Sequence, residues 1–246
     1  METRPPTLEH LQADTFGRFA DCLEKVEEAL PGALRIVLAL DEYEKLHERA
    51  AAGHAWVGGV LDLTRHWMQH HPRLSLLFTG MHAFANLGPA WMSRFVCVRK
   101  VRVSFLQREA LVPILTRPVP EFDLAWEPGA LEALLDPTAA QPFLSQAVAF
   151  ELVQHLNEQD RKTTAPADVE TACLRAMDSG AAYFENVWDD IGEDGRALVR
   201  AVCRGEPPPA DSAAARVRVQ EQEVLDAALR FKVPLVERWM RGKIVA

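Results

Sequence analysis

The chain has 246 residues, of which 48% are hydrophobic and 25% are charged, and this composition is that of a folded globular protein. Its formal net charge of -8 argues against a broad, sequence-independent nucleic-acid surface, because such surfaces depend on clustered Lys and Arg. No apolar run reaches the roughly 18 residues of a membrane span, and the first residues do not resemble a signal peptide, so a cytoplasmic location without a membrane partner is expected.

The first part of the chain predicts a helix followed by a strand. Apolar side chains recur at helical spacing over residues 16–30, and Asp14 or Thr15 is the expected N-cap of that helix. Ile36–Leu40 is then a short, continuously apolar run without polar alternation. Such a run is typical of a strand that is covered on both faces of a parallel sheet.

The next segments predict that helices and strands alternate. A helical pattern over residues 57–70 leads into a second apolar run, Leu74–Phe78, and residues 100–105 form a third candidate strand. This alternation indicates βαβ units, in which ligands lie beyond the carboxyl ends of the strands. From residue 108 onward the sequence predicts one helix after another.

Three candidate site residues come at the ends of the first two predicted strands. Asp41 and Glu42 follow Ile36–Leu40, and Thr79 follows Leu74–Phe78. In metal-assisted phosphate hydrolysis one carboxylate holds a hydrated Mg²⁺ ion, while its neighbour orients and deprotonates the attacking water. An acidic pair alone is weak support for such a site, because acidic pairs after strands also occur as solvated turns.

The segments around these residues resemble the AAA-like, STAND-related P-loop ATPases. Residues 36–44, IVLALDEYE, are similar to the Walker B strand of that family, and residues 76–80, LLFTG, are similar to the sensor strand that follows it. Further segments are similar to the passage into the helical lid and to the lid itself, namely residues 101–106, 115–119, 142–146, 156–157 and 167–170. The similar segments occur in family order and cover most of the chain.

The resemblance implies an α/β fold in three parts. Residues 1–107 would be a partial P-loop NTPase core with a parallel sheet of about three strands. Residues 108–182 would be an all-α lid, and residues 183–246 would be a small winged-helix-like domain. One departure concerns the lid, because residues 138–142 read TAAQP where the family usually has a glycine-containing turn.

The resemblance also assigns roles to the three candidate residues. Asp41 would assist Mg²⁺ binding, Glu42 would be the catalytic residue that activates water, and Thr79 would sense the terminal phosphate of ATP. The phosphate-binding pattern GxxxxGKS or GxxxxGKT does not occur, and Lys162, the only Lys followed by Ser or Thr, has no glycine shortly before it. The chain alone is therefore expected to be inactive, with ATP and Mg²⁺ bound only in a complete ATPase.

The function implied is that of a component or fragment of an ATP-binding regulatory ATPase, and two explanations of the missing P-loop stay open. Either the reading frame starts inside a longer ATPase gene, or a separate polypeptide supplies the loop. A P-loop-bearing polypeptide is thus one expected partner. Self-association is another, because a sheet that is short of a strand leaves open apolar edges. At least one face or edge of the sheet is expected to expose apolar side chains.

The tail leaves a different class of function open, that of a non-enzymatic adaptor. In this interpretation the lid and the winged helix bind a protein partner or DNA, and the acidic pair is a relic. Residues 230–243 hold five basic side chains against one acidic side chain, Glu237, which is the argument for DNA. A protein contact is favoured over DNA, because the chain around residues 229–231 leaves little room for a hairpin wing.

Overall fold

The structure is a computed structural model in which residues 15–81 and 87–245 are described. These residues belong to two compact units, unit 1 up to Val101 and unit 2 from Arg102 onward. The predicted N-cap residue Asp14 lies outside the described residues. Of the helices described, none is both long enough and apolar enough to cross a membrane.

Unit 1 contains the first two predicted strands. Its elements, in chain order, are α1 (Thr15–Ala29), β1 (Ile36–Leu40), α2 (Glu44–Ala51), α3 (Trp56–His70), β2 (Leu74–Phe78) and α4 (Pro89–Arg94). Both strands are confirmed with the expected bounds. They pair in parallel, with Ile36 opposite Leu74 and Leu40 opposite Phe78. Their carboxyl ends therefore lie side by side.

The described residues cover only one face of this sheet. Side chains alternate between half-buried and exposed along both strands, and Phe78 packs against a core that includes Val57 of α3 and Trp91 of α4. On the opposite face Val37 is 65% exposed and Leu77 is 51% exposed. The prediction of strands covered on both faces is wrong, because the described core of unit 1 lies on one face. The prediction of exposed apolar side chains is confirmed.

Unit 2 is mainly helical. Its elements are α5 (Arg108–Thr116), β3 (Ala125–Trp126), α6 (Ala130–Thr138), α7 (Pro142–Glu158), β4 (Thr163–Thr164), α8 (Pro166–Ser179), α9 (Ala181–Asp190), α10 (Gly192–Arg204), α11 (Ala213–Glu221) and α12 (Pro234–Val245). The prediction that residues 108–182 are all-α is wrong in one detail, because β3 and β4 pair in parallel. Extended backbone before α8 is favoured because Pro166 restricts the residue that precedes it.

The third predicted strand does not form. Residues 100–105 carry no strand pairing, so the sheet described in unit 1 has two strands instead of about three. The reason is that this segment is bonded into unit 2. Arg102 Nη2 donates to the backbone carbonyls of residues 220–221 at 3.2 and 2.8 Å, and Ser104 Oγ donates to the Glu223 carboxylate at 2.6 Å.

One hydrophobic core runs through unit 2. It includes fully buried side chains from α5 to α12, such as Leu111, Leu152, Phe184 and Met240. The Phe184 ring of α9 stacks on the Trp239 ring of α12, with centroids 5.5 Å apart. The residues assigned to the lid and to the tail thus share their core, and the boundary between residues 182 and 183 stays a prediction.

The tail holds a minimal hairpin between α11 and α12. Leu225 and Phe231 form a single antiparallel bridge. The Asp226 carboxylate closes the turn by accepting hydrogen bonds from the backbone N–H groups of Ala228 and Arg230, at 2.8 and 2.9 Å. This arrangement agrees with the short span predicted for the wing, and the likeness to a winged helix stays a prediction.

The turn in residues 138–142 forms without glycine. Ala139 and Ala140 have φ angles of 48° and 55°, in the left-handed region that glycine normally occupies. Each such residue costs about 1–2 kcal/mol. Bonds on both sides hold the turn, because Gln141 N donates to Thr138 O at 2.9 Å and Leu106 N donates to Ala140 O at 3.1 Å.

A buried network joins the end of α7 to the start of α8. The Asp168 carboxylate accepts two hydrogen bonds from the Arg161 guanidinium at 2.9 Å and one from the Ala165 backbone N–H at 2.8 Å. His155 Nε2 lies 3.3 Å from Asp168 Oδ1. The bonds from Arg161 are the main reason why the pKa of Asp168 lies below its ordinary value of 3.8.

Replacing Asp168 with Asn should lower the free energy of unfolding by about 1.5–3 kcal/mol at neutral pH, the usual worth of hydrogen bonds to a charged group. Because the pKa of Asp168 is lowered by folding, this contribution is complete well above pH 3.8 and is lost as the pH falls through the folded pKa. Urea unfolding of the wild type and of Asp168→Asn, at pH values from neutral to below 3.8, measures this contribution. Glu158→Gln is the control, because the exposed Glu158–Arg175 pair should contribute little. A wild-type advantage that persists in acid would contradict the assignment.

Candidate functional site

The parallel pairing of β1 and β2 brings two predicted site residues together. Asp41 follows β1 and Thr79 follows β2. The pairing continues one residue past the strands, because Thr79 N donates to Leu40 O at 3.0 Å. The Thr79 hydroxyl donates a short hydrogen bond to Asp41 Oδ1. Residues that lie 38 positions apart in the sequence are therefore in direct contact.

Glu42 lies beside this contact in a strained backbone conformation. Its φ angle is 51°, which is uncommon for a residue with a Cβ atom. Its backbone N–H donates to Asp41 Oδ1 at 3.0 Å. Its side chain is exposed and forms no hydrogen bond or ion pair with another described residue. Strain of this kind costs about 1–3 kcal/mol and clusters at functional sites.

A second set of contacts holds the backbone of the two turns together. Tyr43 N donates to Thr79 O at 3.3 Å, and Met81 N donates to Glu44 Oε1 at 3.1 Å. With the bond between Thr79 and Asp41, these contacts join residues 41–44 to residues 79–81 in one unit, which we call the clasp. The clasp fixes the segment after β2 relative to the acidic pair.

The Glu44 carboxylate lies against Gly80 in the clasp. Glu44 is 9% exposed, and its Oε2 atom is buried without a hydrogen-bond partner among the described residues. A Cβ atom at Gly80 would lie 2.1 Å from Glu44 Oε2 and 2.8 Å from the Tyr43 ring. A larger residue at position 80 would require the Glu44 carboxylate and the Tyr43 ring to move. Sequence reasoning missed Glu44, because an acidic residue in the first turn of a helix is common for electrostatic reasons.

The chemistry of the clasp suits a hydrated cation that is shared with a ligand. Mg²⁺ is commonly bound through one or two carboxylates, with waters and substrate phosphates completing the shell. Asp41 and Glu42 are exposed, and Asp41 Oδ1 is already engaged. Among residues 15–81 and 87–245, no group of three or more His, Cys, Asp or Glu side chains is placed to hold a metal. Asp41 and Glu42 therefore fit a Mg²⁺ ion whose remaining ligands are waters and substrate phosphates.

The clasp does not by itself supply the donor groups that bind the phosphates of ATP. Phosphate cradles use successive backbone N–H groups and a Lys side chain. In the clasp the backbone N–H groups of Glu42, Tyr43 and Met81 are bonded to Asp41, Thr79 and Glu44. The described residues of the clasp thus fit the cation part of a nucleotide site.

The five basic side chains of residues 230–243 are all paired with carboxylates. The pairs are Arg230–Asp226, Lys232–Glu223, Arg238–Glu170, Arg241–Glu237 and Lys243–Glu185, with N–O distances between 2.6 and 3.0 Å. Four of these five carboxylates lie outside residues 230–243, so a local charge count does not include them. The fold neutralises the local excess on which a DNA contact would depend.

An open groove of about 580 Å³ lies on unit 2. Arg238, Trp239 and Lys243 of α12 contribute to its lining. Both of these cations are engaged in ion pairs, and the Lys243 ammonium also lies 5.0 Å from the centroid of the Trp239 ring. Asp41, Glu42 and Thr79 do not line the groove, so the groove is not part of the predicted site.

Comparison with models of known protein families finds no match to this chain, and comparison with curated protein sequences finds none either. The resemblance to P-loop ATPases therefore stays a prediction from sequence motifs. Function is inferred from the clasp and its chemistry.

Proposed function

We propose that this chain is the cation-binding component of an ATP-binding, STAND- or AAA-like regulatory ATPase, whose phosphate-binding loop comes from upstream sequence or from another polypeptide. The observation that supports it best is the hydrogen bond between Thr79 and Asp41 at the adjoining ends of two parallel strands. Ligands of parallel sheets lie beyond the carboxyl ends of the strands. Acidic and hydroxyl side chains meet at that position here.

Each of the three residues has a distinct role in this proposal. Asp41 would hold Mg²⁺, directly or through its water ligands, and the bound cation would offset negative charge on the phosphates of ATP. The exposed Glu42 carboxylate orients water and accepts its proton. Thr79 carries a single hydroxyl proton, which it donates to Asp41 in this structure. To contact a phosphate oxygen as a donor, Thr79 must give up that bond.

The chain alone is proposed to be inactive. The backbone N–H groups and the Lys of a P-loop make the main contacts to the outer phosphates. A carboxylate and a hydroxyl group cannot replace them. The partner in this proposal is a P-loop-bearing segment or a second polypeptide.

Mn²⁺ binding at Asp41 tests the proposal. Mn²⁺ takes the oxygen ligands that suit Mg²⁺ and broadens nearby NMR signals. In the wild-type chain the amide signals of residues 41, 42 and 79 should broaden first as Mn²⁺ is added. Asp41→Asn should abolish this selective broadening. Glu48→Gln, which removes an exposed carboxylate of α2, should leave it unchanged.

Broadening that is uniform over the acidic surface, or equal in Asp41→Asn and the wild type, would contradict the proposed cation site.

The second candidate function is that of an adaptor that binds a protein. Pairing of all five basic side chains in residues 230–243 favours a protein partner over DNA. Unit 2 also exposes large apolar side chains, with Phe150 60% exposed and Leu174 45% exposed. An adaptor would retain partner binding in Asp41→Asn, whereas an ATPase component would lose Mg²⁺-dependent activity in its complete assembly.

A further inference from the structure

Glu44 of the clasp is buried although its neighbours Asp41 and Glu42 are exposed. A buried carboxylate is unfavourable unless its oxygens are hydrogen-bonded. Here one oxygen accepts the Met81 N–H, and the other has no hydrogen-bond partner among the described residues. The Glu44 side chain therefore occupies a costly position, and that position lies next to the proposed cation site.

The reach of Glu44 determines where the segment after β2 lies. Its Oε1 atom holds Met81 N at 3.1 Å, and its Oε2 atom occupies the space that a Cβ atom of Gly80 would need. Gly80 is bonded directly to Thr79, whose hydroxyl meets Asp41. A change in the length of the side chain at position 44 would move residues 80–81 and with them the Thr79 hydroxyl.

We infer that Glu44 is a positioning residue of the cation site, which holds residues 80–81 so that Thr79 and Asp41 keep their relative placement. This inference rests on the proposed function, because it concerns the same site. Glu44 acts through the backbone and does not contact the cation. What matters is the reach of its acceptor oxygen rather than its charge.

Two conservative variants separate reach from charge. Glu44→Gln keeps the length of the side chain and an acceptor oxygen for Met81 N, but removes the charge. Glu44→Asp keeps the charge, but its carboxylate is shorter by one methylene group and cannot reach Met81 N in the same backbone. Both changes are small, and far-UV circular dichroism with a thermal melt establishes that each variant is folded.

The measurement is the Mn²⁺ concentration that half-broadens the amide signals of residues 41, 42 and 79. Glu44→Gln should stay close to the wild type. Glu44→Asp should need about tenfold more Mn²⁺ or lose the effect, as is typical when a residue that orients a metal ligand is changed. The Met81 amide signal should shift in Glu44→Asp and stay near its wild-type position in Glu44→Gln.

Three results would overturn the inference. Loss of Mn²⁺ binding in Glu44→Gln would make Glu44 a ligand or a source of charge. Wild-type Mn²⁺ binding in Glu44→Asp would show that its reach is irrelevant. No selective broadening in the wild type would remove both the inference and the proposed function. If Mn²⁺ selectively broadens these signals in the wild type but not in Asp41→Asn, the proposed function stands. The Glu44 variants then decide only the role of Glu44.

Discussion

Replacing Phe184 with alanine is expected to lower the free energy of unfolding of unit 2 by about 3–5 kcal/mol. Phe184 is 0% exposed, and its ring lies against the Trp239 ring of α12 and edge-on to the Tyr183 ring. Its removal leaves a cavity where α9 and α12 meet. The cost is large because the truncated side chain loses both its burial and these aromatic contacts.

Urea unfolding followed by tryptophan fluorescence measures this effect. Phe150→Ala is the matched control, because Phe150 is 60% exposed and its loss should change stability by less than about 1 kcal/mol. Residues of the predicted lid and tail share one core, so unit 2 should unfold in a single transition. Two separate transitions, with Phe184→Ala affecting only the later part of the chain, would contradict the shared core.

The full chain is expected to self-associate, whereas residues 102–246 alone should stay monomeric. In the described part of unit 1 the two strands have no further strand beside them, and one face exposes Val37 and Leu77. Parallel sheets are normally covered on both faces, and open apolar edges invite pairing with other chains. Unit 2 has its own core, and the one sheet in its described residues is the pair β3 and β4, of two residues each.

Light scattering on both proteins tests this expectation. The full chain should show a mass above that of a monomer, increasing with concentration. Val37→Lys should reduce the association, because a charge on the exposed face of the sheet opposes it. Val217→Lys, a change at an exposed valine of α11, is the control and should leave the association unchanged. A monodisperse full-length monomer would show that the chain completes or covers its own sheet.

The strand pair and the acidic pair were predictable because their signals are local. β1 is a continuously apolar run of five residues followed by Asp41, and β2 is a run of five residues, apolar except for Ser75, followed by Thr79. Short apolar runs bounded by polar residues are typical of buried strands. Two paired strands then place both residues at the same end of the sheet without further information. The contact between Asp41 and Thr79 then follows from parallel pairing in the observed register, with Leu40 opposite Phe78.

The prediction of a third strand was wrong because the conformation of residues 100–105 depends on distant residues. The alternation of Val101, Val103 and Phe105 is typical of a strand, but Ser104 bonds to Glu223, which lies 119 positions later in the chain. No local pattern contains that information. The tail gives a second example, since Glu170 and Glu185 neutralise Arg238 and Lys243 from other helices.

The residues of the clasp were only partly predictable. Gly80 has an evident role only after the Glu44 carboxylate is seen at the place of its missing Cβ atom. The alanines at positions 139 and 140 show the converse, because they adopt a conformation that the sequence argued against. Neighbouring hydrogen bonds there compensate for an unfavourable local preference.

The most direct test of the proposed cation site is an anomalous difference map from a crystal of the chain soaked in Mn²⁺. The account predicts a peak beside the carboxylate of Asp41, at about 2.1 Å or, through a water ligand, about 4 Å from it, with Glu42 and Thr79 as neighbours. The peak should be absent from crystals of Asp41→Asn. A peak bound elsewhere with Asp41 free, or an unchanged peak in Asp41→Asn, would contradict the account.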